Sequence, residues 1–168
     1  TFHSSCVRFL RRDIDRLGYN KQFCIFDTAD QLTVVKECLK ELDMSNDSLP
    51  PKQVLSEISR AKNELITSDE YQKRCAYDYK MTQIAKVYEL YQQKLRQYNA
   101  LDFDDIIMLT VQLFEENPEI LEYYHRRFRY IMVDEYQDTN NAQYRLVYLL
   151  AKGHRNLCVV GDDDQSIY

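Results

Sequence analysis

Acidic and amide side chains follow two short apolar runs near the end of this 168-residue chain. Asp134 and Glu135 come directly after the run at 130–133, and Asp162–Gln165 follow the run at 156–160 after one glycine. In an open α/β sheet, ligands bind outside the carboxyl ends of the strands. An aspartate there can hold Mg²⁺ through water, an adjacent glutamate can activate an attacking water, and a glutamine can contact a γ-phosphate. These residue types suit nucleotide hydrolysis, although turns and helix N-termini also favour such acids for purely structural reasons.

The chain has only three glycines, Gly18, Gly153 and Gly161. A loop that cradles phosphate needs several glycines close together, because they let the backbone approach the phosphate. The sequence therefore contains neither a Walker A loop nor a Rossmann fingerprint. Its net charge of −5 also argues against a generic nucleic-acid coat, so that any contact with DNA or RNA needs a local basic patch.

The five cysteines are odd in number and lack CxxC spacing. This pattern favours reduced thiols over a zinc site or a disulfide framework. The sequence also contains no apolar run long enough to cross a membrane and no signal peptide. We therefore expect a cytoplasmic protein without a membrane partner.

The elements that position the acids are predicted from the spacing of apolar residues. Spacings of three and four predict helices over the first 120 residues. Two apolar runs that flank a helical segment at 140–152 then predict a βαβ unit. The fold class is therefore α/β and mostly helical. The predicted helix signals are a cap at Ser4 and Ser5, a stop at Gly18, capping boxes at Thr28–Gln31 and Thr67–Glu70, a cap at Asp102 and a start at Asn117-Pro118. The second box opens a single long helix toward Asn99.

Four segments in order resemble motifs of the UvrD/Rep/PcrA group of superfamily 1 DNA helicases, among which the PcrA members look nearest. The two segments with the acids are VDEYQDTN at 133–140 and VGDDDQSIY at 160–168, which resemble motifs II and III. TFHS at 1–4 and LDFDDI at 101–106 resemble two further motifs of the group. The resemblance covers nearly the whole chain, and four ordered motifs are far more specific than any one of them.

The resemblance implies an internal piece of a longer protein. Residues 1–20 and 100–168 would be parts of the RecA-like 1A domain of a P-loop NTPase whose phosphate loop lies upstream, and 21–99 would be its helical 1B-type insertion. The parent would be an ATP-dependent helicase that moves 3′ to 5′ on single-stranded DNA and separates duplex DNA in repair or replication. It would use ATP and Mg²⁺. The piece alone would be catalytically incomplete and would hold no tightly bound cofactor.

The resemblance also implies roles for residues on the ATP side. Asp134 would hold Mg²⁺ through water, Glu135 would be the catalytic base, and Gln165 would couple the γ-phosphate to DNA. Gln137 and Asp138 would help to link the ATP and DNA sites. No role is implied for Asp163, where relatives often carry alanine.

On the DNA side, the resemblance implies that Phe2, His3 and Ser4 contact single-stranded DNA and that a base stacks on Tyr168. The sequence adds a basic cluster of Arg8, Arg11 and Arg12, which suits phosphates. An ordinary solvated helix face explains these arginines equally well.

Two other functions stay open. The helical region could be a DNA- or protein-binding module without catalysis of its own. Alternatively, the chain could be a stand-alone metal-dependent phosphohydrolase that uses Asp134, Glu135 and Asp162. Strand edges without neighbours also offer a route to self-association.

Overall fold

The computed structural model describes residues 2–44, 46–128, 131–133, 140–152 and 157–159, and the described part is mostly helical. The helices are α1 (Phe2–Asp13, extended by a 3-10 turn at Ile14–Leu17), α2 (Thr28–Glu41), α3 (Pro51–Asn63), α4 (Ser68–Arg74), α5 (Tyr79–Gln97), α6 (Phe103–Glu116), α7 (Pro118–Arg127) and α8 (Asn141–Ala151). The strands are β1 (Cys24–Ile25), β2 (Ala100–Leu101), β3 (Ile131–Val133) and β4 (Leu157–Val159). Among the described helices, none is long and apolar enough to cross a membrane.

Two hydrophobic cores hold the helices together. The first core is built mainly from α2, α3, α4 and α5, and its buried members include Val35, Ile58 and Tyr91. The second core is built mainly from α1, α6, α7 and α8, and its buried members include Leu10 and Phe114. The cores meet where α3 contacts α6. The chain thus folds around two centres with a helix-to-helix junction between them.

A short neck joins the segment of the first core to the rest of the chain. Strands β1 and β2 pair in parallel, with Cys24 opposite Ala100 and Ile25 opposite Leu101. Beside them, Asn99 Oδ1 accepts from the backbone N–H of Asn20 at 3.1 Å, and Asn99 Nδ2 donates to the carbonyl of Asn20 at 3.2 Å. The chain therefore enters and leaves the segment of the first core at the same place. Sequence reasoning did not find this pair, since two residues give no alternating pattern.

The predicted strand–helix–strand unit is present in the described residues. Strands β3 and β4 pair in parallel, with Ile131 opposite Leu157 and Val133 opposite Val159, and α8 connects them. Helix α8 begins after Asn140, whose side chain accepts from Gln143 N at 2.9 Å. The carboxyl ends of both strands therefore point the same way.

Two predicted helix starts are shifted. Helix α1 begins at Phe2, so that Ser4 and Ser5 lie inside it and do not cap it. Helix α2 is capped by Asp27 rather than Thr28, because the Asp27 carboxylate accepts from Asp30 N at 2.9 Å and Asp30 accepts from Asp27 N at 3.1 Å. The reciprocal box predicted at Thr28–Gln31 lies one residue earlier.

The single long helix predicted from Thr67 toward Asn99 is wrong. Thr67 caps only the short helix α4, which ends at Arg74. Ala76 then adopts a left-handed conformation with φ of 46°, and Asp78 caps α5 by accepting from Met81 N at 3.1 Å. The apolar stripe of α5 (Ile84, Val87, Tyr91 and Leu95) is buried in the first core, whereas Tyr98 is 49% exposed.

Candidate nucleic-acid interface

The first turns of α1 and α6 present two aromatic rings to each other. The rings of His3 and Phe103 meet edge to face with their centroids 6.0 Å apart. Phe103 is 48% exposed, whereas His3 and Phe2 are half-buried and Phe2 packs against the second core. Ser4 is exposed on α1. The structure thus brings His3, a predicted DNA contact, against an exposed ring that sequence reasoning did not select. The signal for Phe103 was an aromatic residue directly after the helix-capping Asp102, inside a segment already singled out.

Helix α6 begins at Phe103 because two aspartates close a capping box around its first turn. Asp102 Oδ1 accepts from Asp105 N at 2.8 Å, and Asp105 Oδ2 accepts from Asp102 N at 3.1 Å. The sequence predicted the Asp102 cap, and the structure confirms it. The box satisfies two backbone N–H groups that a helix start otherwise leaves without partners.

The other oxygen of each carboxylate binds one buried lysine. Lys62 Nζ, on α3, lies 2.7 Å from Asp102 Oδ2 and 2.8 Å from Asp105 Oδ1. The Tyr91 hydroxyl on α5 also donates to Asp102 Oδ2 at 2.7 Å. Lys62 and Tyr91 are 0% exposed, Asp102 is 1% and Asp105 is 2% exposed. We call Lys62, Tyr91, Asp102 and Asp105 the buried charge cluster; it ties three helices together.

The buried charge cluster has two carboxylates for one ammonium. Burial by itself lowers the pKa of Lys62, but Asp102 and Asp105 outweigh burial and raise it well above its ordinary value. Burial raises the pKa of Asp102, but Lys62 outweighs burial and lowers it. For Asp105 the balance is the opposite: burial and the charge of Asp102 outweigh Lys62 and raise the pKa of Asp105 to about 6. Since Lys62 takes up these acids, we interpret them as a structural lock and not as a metal site.

A groove with a mixed polar and apolar lining runs along α3 beside this turn, and we call it the α3 groove. It consists of two open cavities of about 300 Å³ and about 490 Å³ that share Ser56 and Ser59. Lys52 and Asp104 line the smaller cavity, and Arg60 and Asn140 line the larger. The α3 groove offers hydroxyl, amide and cationic groups, which are the groups that contact nucleic-acid phosphates and sugars. Its lining also includes the apolar Leu32 and Leu55 and the carboxylates of Glu64 and Asp104.

Two of the three predicted basic residues are held against the protein. Arg11 Nη1 donates to the carbonyls of Lys21 at 2.8 Å and Phe23 at 2.6 Å, and its guanidinium lies 3.7 Å from the centre of the Phe23 ring. Arg12 stacks 3.8 Å from the centre of the Tyr123 ring. They lie about 12 Å (Arg11) and about 13.5 Å (Arg12) along α1 from His3, at a rise of ~1.5 Å per residue. A DNA-binding role for these arginines stays a prediction.

Arg8 lies on α1 between His3 and the two arginines at 11 and 12. It is exposed, and it occupies the middle of the helix. A role for Arg8 in phosphate binding also stays a prediction.

The residues predicted for the ATP side and the base-stacking tyrosine lie outside the described residues. They are Asp134, Glu135, Gln137, Asp138, Gln165 and Tyr168. The described strands β3 and β4 precede them and run parallel. Within the described ranges, no group of three or more His, Cys, Asp or Glu residues could hold a metal ion.

Comparison with known proteins gives matches over the whole chain. A family model described as UvrD/REP helicase N-terminal domain matches residues 1–168. The chain is 56% identical over 168 residues to the ATP-dependent DNA helicase PcrA of Bacillus subtilis (strain 168). It is 54% identical over 168 residues to the proteins of the same name from Staphylococcus aureus (strain Mu50) and Staphylococcus epidermidis (strain RP62A). All of the chain is covered in each comparison, but it spans only 23% of the length of each of these relatives.

Proposed function

The chain belongs to the UvrD/REP helicase N-terminal domain family, and on that basis we propose that it is part of an ATP-dependent DNA helicase. The parent protein would couple ATP hydrolysis to 3′-to-5′ movement on single-stranded DNA and would separate duplex DNA during repair or replication. The observation that carries this proposal is the match over all 168 residues to relatives named ATP-dependent DNA helicase PcrA. A cytoplasmic location is part of the same proposal.

The proposed division of the chain follows the resemblance. Residues 21–99 would form the helical 1B-type insertion, and residues 1–20 and 100–168 would belong to the RecA-like 1A domain. Two observations support this division. The neck of β1 and β2 stands at the two ends of the proposed insertion, and the two hydrophobic cores separate near the same positions.

On the ATP side, we propose that Asp134 holds Mg²⁺ through water and that Glu135 orients and deprotonates the attacking water. Gln165 would contact the γ-phosphate and, with Gln137 and Asp138, report its state to the DNA site. Carboxylates and amides are a donor set that suits Mg²⁺ and phosphate, and the parallel pairing of β3 and β4 supports their placement at one sheet edge. Bound ATP with Mg²⁺ would supply the phosphoryl group that is transferred to water.

On the DNA side, we propose that the exposed ring of Phe103, with His3 against it, stacks on a base. Phe2 and Ser4 would support this contact, and Tyr168 would stack on another base. The α3 groove, which carries Lys52, Arg60 and two serines, would take the sugar-phosphate backbone next to the stacked base. Stacking on aromatic rings tolerates any base, as a motor that moves along DNA requires.

ATP turnover tests the proposed catalytic base. In the full-length protein that carries this sequence, Glu135→Gln should reduce DNA-stimulated ATP turnover by about 100-fold or more, because the water loses its proton acceptor. The affinity for ATP should change little, since the amide keeps the shape of the side chain. An equal loss of ATP affinity would show that Glu135 has a structural role instead.

The 168-residue chain alone should release no phosphate from ATP with Mg²⁺ and single-stranded DNA, because it contains no phosphate-cradling loop. Phosphate release by the purified chain would contradict this proposal. It would favour the stand-alone phosphohydrolase if the release did not need DNA.

A DNA-binding module without catalysis is the second candidate, because the exposed Phe103 ring and His3 form their contact without any residue predicted for the ATP side. Fluorescence anisotropy with a labelled single strand tests it. Phe103→Ala should weaken binding by about 5-fold or more, the equivalent of one lost stacking contact of ~1–3 kcal/mol. Tyr98→Ala is the matched control, because Tyr98 is 49% exposed but lies at the end of α5. Equal binding by both variants would exclude Phe103 from the interface.

A further inference from the structure

We propose that Lys62 is a positioning residue for the nucleic-acid interface. Its buried ammonium, carried by α3, fixes the first turn of α6 and thereby the direction of the Phe103 ring. This inference rests on the proposed role of the His3–Phe103 pair in DNA binding. It makes the interface on α1 and α6 depend on a residue of the proposed insertion.

The carboxylate oxygens at the start of α6 divide their contacts between the capping box and the lysine. In Asp102 and in Asp105, one oxygen closes the box and the other binds Lys62 Nζ. Phe103 lies between the two aspartates in the same turn. Its backbone therefore cannot rotate without breaking one of these four contacts, which sets the direction of its Cα–Cβ bond. The His3 ring then packs against the Phe103 ring from one side.

A second aspartate capping box in the protein offers a comparison. Helix α2 begins with a similar box, formed by Asp27 and Asp30, whose hydrogen bonds are exposed. A surface box is thus enough to start a helix here. Burying a charge trio costs several kcal/mol of desolvation per ion, which attraction repays only when the geometry is excellent. The three buried charges of Lys62, Asp102 and Asp105 therefore indicate a role beyond starting α6, namely holding its first turn in one orientation.

Helix α5 holds the same turn. The Tyr91 hydroxyl donates to Asp102, and Gln92 Nε2 donates to Asp105 Oδ1 at 3.4 Å. Helices α3 and α5 of the first core therefore both grip the start of α6. The neighbouring Asp104, in the same turn as Phe103, lines the α3 groove.

The chain contains no tryptophan, and Phe103→Trp therefore provides a unique fluorescent reporter at the interface. The chain with this substitution, which we call the reporter chain, is titrated with a single-stranded oligothymidine, and stacking should quench its emission. The same titration is made with Lys62→Met added. We expect the affinity to fall about fivefold or more, as for one lost stacking contact. Lys94→Met is the matched control and should stay within twofold, because Lys94 pairs with Glu37 and Glu41 away from α6.

Affinity is measured at a temperature where circular dichroism shows the Lys62→Met variant to be fully folded, so that a loss of stability alone does not change it. The slope of log affinity against log salt should stay unchanged, because the variant disturbs stacking and not phosphate contacts. Unchanged affinity in the folded variant would overturn the inference while leaving the proposed function intact. No binding by the reporter chain that retains Lys62 would overturn both the inference and the proposed role of the His3–Phe103 pair in DNA binding.

A second variant covers the case in which Lys62→Met does not fold. Tyr91→Phe keeps the ring and the lysine but removes the hydroxyl that donates to Asp102. In the reporter chain it should lower the affinity for the oligothymidine at least twofold. Affinity equal to that of the reporter chain with Tyr91 retained would overturn the inference.

Discussion

Replacing Lys62 by methionine should destabilise the protein strongly at neutral pH. Methionine roughly fills the space but removes the only cation of the buried charge cluster, leaving Asp102 and Asp105 with at most 2% exposure. Removing one partner of a buried ion pair costs about 3–5 kcal/mol. That loss is a large share of the ~5–15 kcal/mol that a folded domain has. Urea unfolding followed by circular dichroism at pH 7 measures it.

The stability loss caused by Lys62→Met should also change with pH in a definite direction. In the unaltered chain, burial and the charge of Asp102 raise the pKa of Asp105 to about 6. Without Lys62, burial raises the pKa of each aspartate above its value in the unaltered chain. The folded variant therefore binds more protons than the folded parent chain, whereas the unfolded chains titrate alike. The difference in unfolding free energy between the unaltered chain and Lys62→Met should accordingly become smaller from pH 7 to pH 5.

Lys94→Met is the matched control, because Lys94 also pairs with two carboxylates but its partner Glu41 is 55% exposed at the side chain. Exposed ion pairs contribute ~0–1 kcal/mol to stability. Lys94→Met should therefore lower the unfolding free energy by less than about 1 kcal/mol at both pH values. The structural role assigned to the buried charge cluster is refuted if Lys62→Met costs no more than the control, or if the difference widens on acidification.

Two further predictions concern the helical segments. Asp27→Ala should lower the unfolding free energy by ~1 kcal/mol, whereas Thr28→Ala should change it far less, because Asp27 is the cap and Thr28 lies inside α2; thermal melts of both variants distinguish the two registers. Gly18→Ala should lower the unfolding free energy by about 1 kcal/mol, since Gly18 has φ of 85°, a backbone conformation that residues with a side chain rarely adopt, and the new Cβ would also displace the end of the Arg96 side chain. An unchanged melting temperature for Gly18→Ala would show that this turn relaxes freely.

Local signals predicted several elements of the fold. Asp102 and Pro118 mark the starts of α6 and α7, and both helices begin where the sequence indicates. The apolar runs before the two acidic clusters become the parallel strands β3 and β4. These features succeed because a cap, a helix-starting proline or an apolar run acts within a few residues of its own position.

The buried charge cluster could not be predicted in the same way. Lys62 looks like a surface residue on an amphipathic helix, because lysines are rarely fully buried. Its partner Asp102 lies 40 positions further along the chain. Burial of the trio is a consequence of how α3, α5 and α6 pack, and no local pattern records it. Phe103 was missed for a related reason, since the exposure of its ring depends on how α6 packs against its neighbours and not on the residues beside it in the sequence.

The break between α4 and α5 shows a limit of periodicity. The apolar residues of α4 and α5 follow one another without a glycine or proline between them. The sequence therefore gives no clear sign that one helix ends and another begins at 74–79. Asp78 is the true cap, but a single aspartate inside a periodic segment is also compatible with an exposed helical position. The left-handed Ala76 that ends α4 carries no sequence signal, since glycine or asparagine is the usual residue there.

Strand separation by the full-length protein tests the central claim most directly. Duplexes with a 3′ or a 5′ single-stranded tail are incubated with ATP and Mg²⁺, and the displaced strand is quantified for the parent protein and for Glu135→Gln. We predict ATP-dependent separation of the 3′-tailed duplex alone, lost in Glu135→Gln. Separation of the 5′-tailed duplex alone, or full activity of Glu135→Gln, would contradict the proposed helicase mechanism.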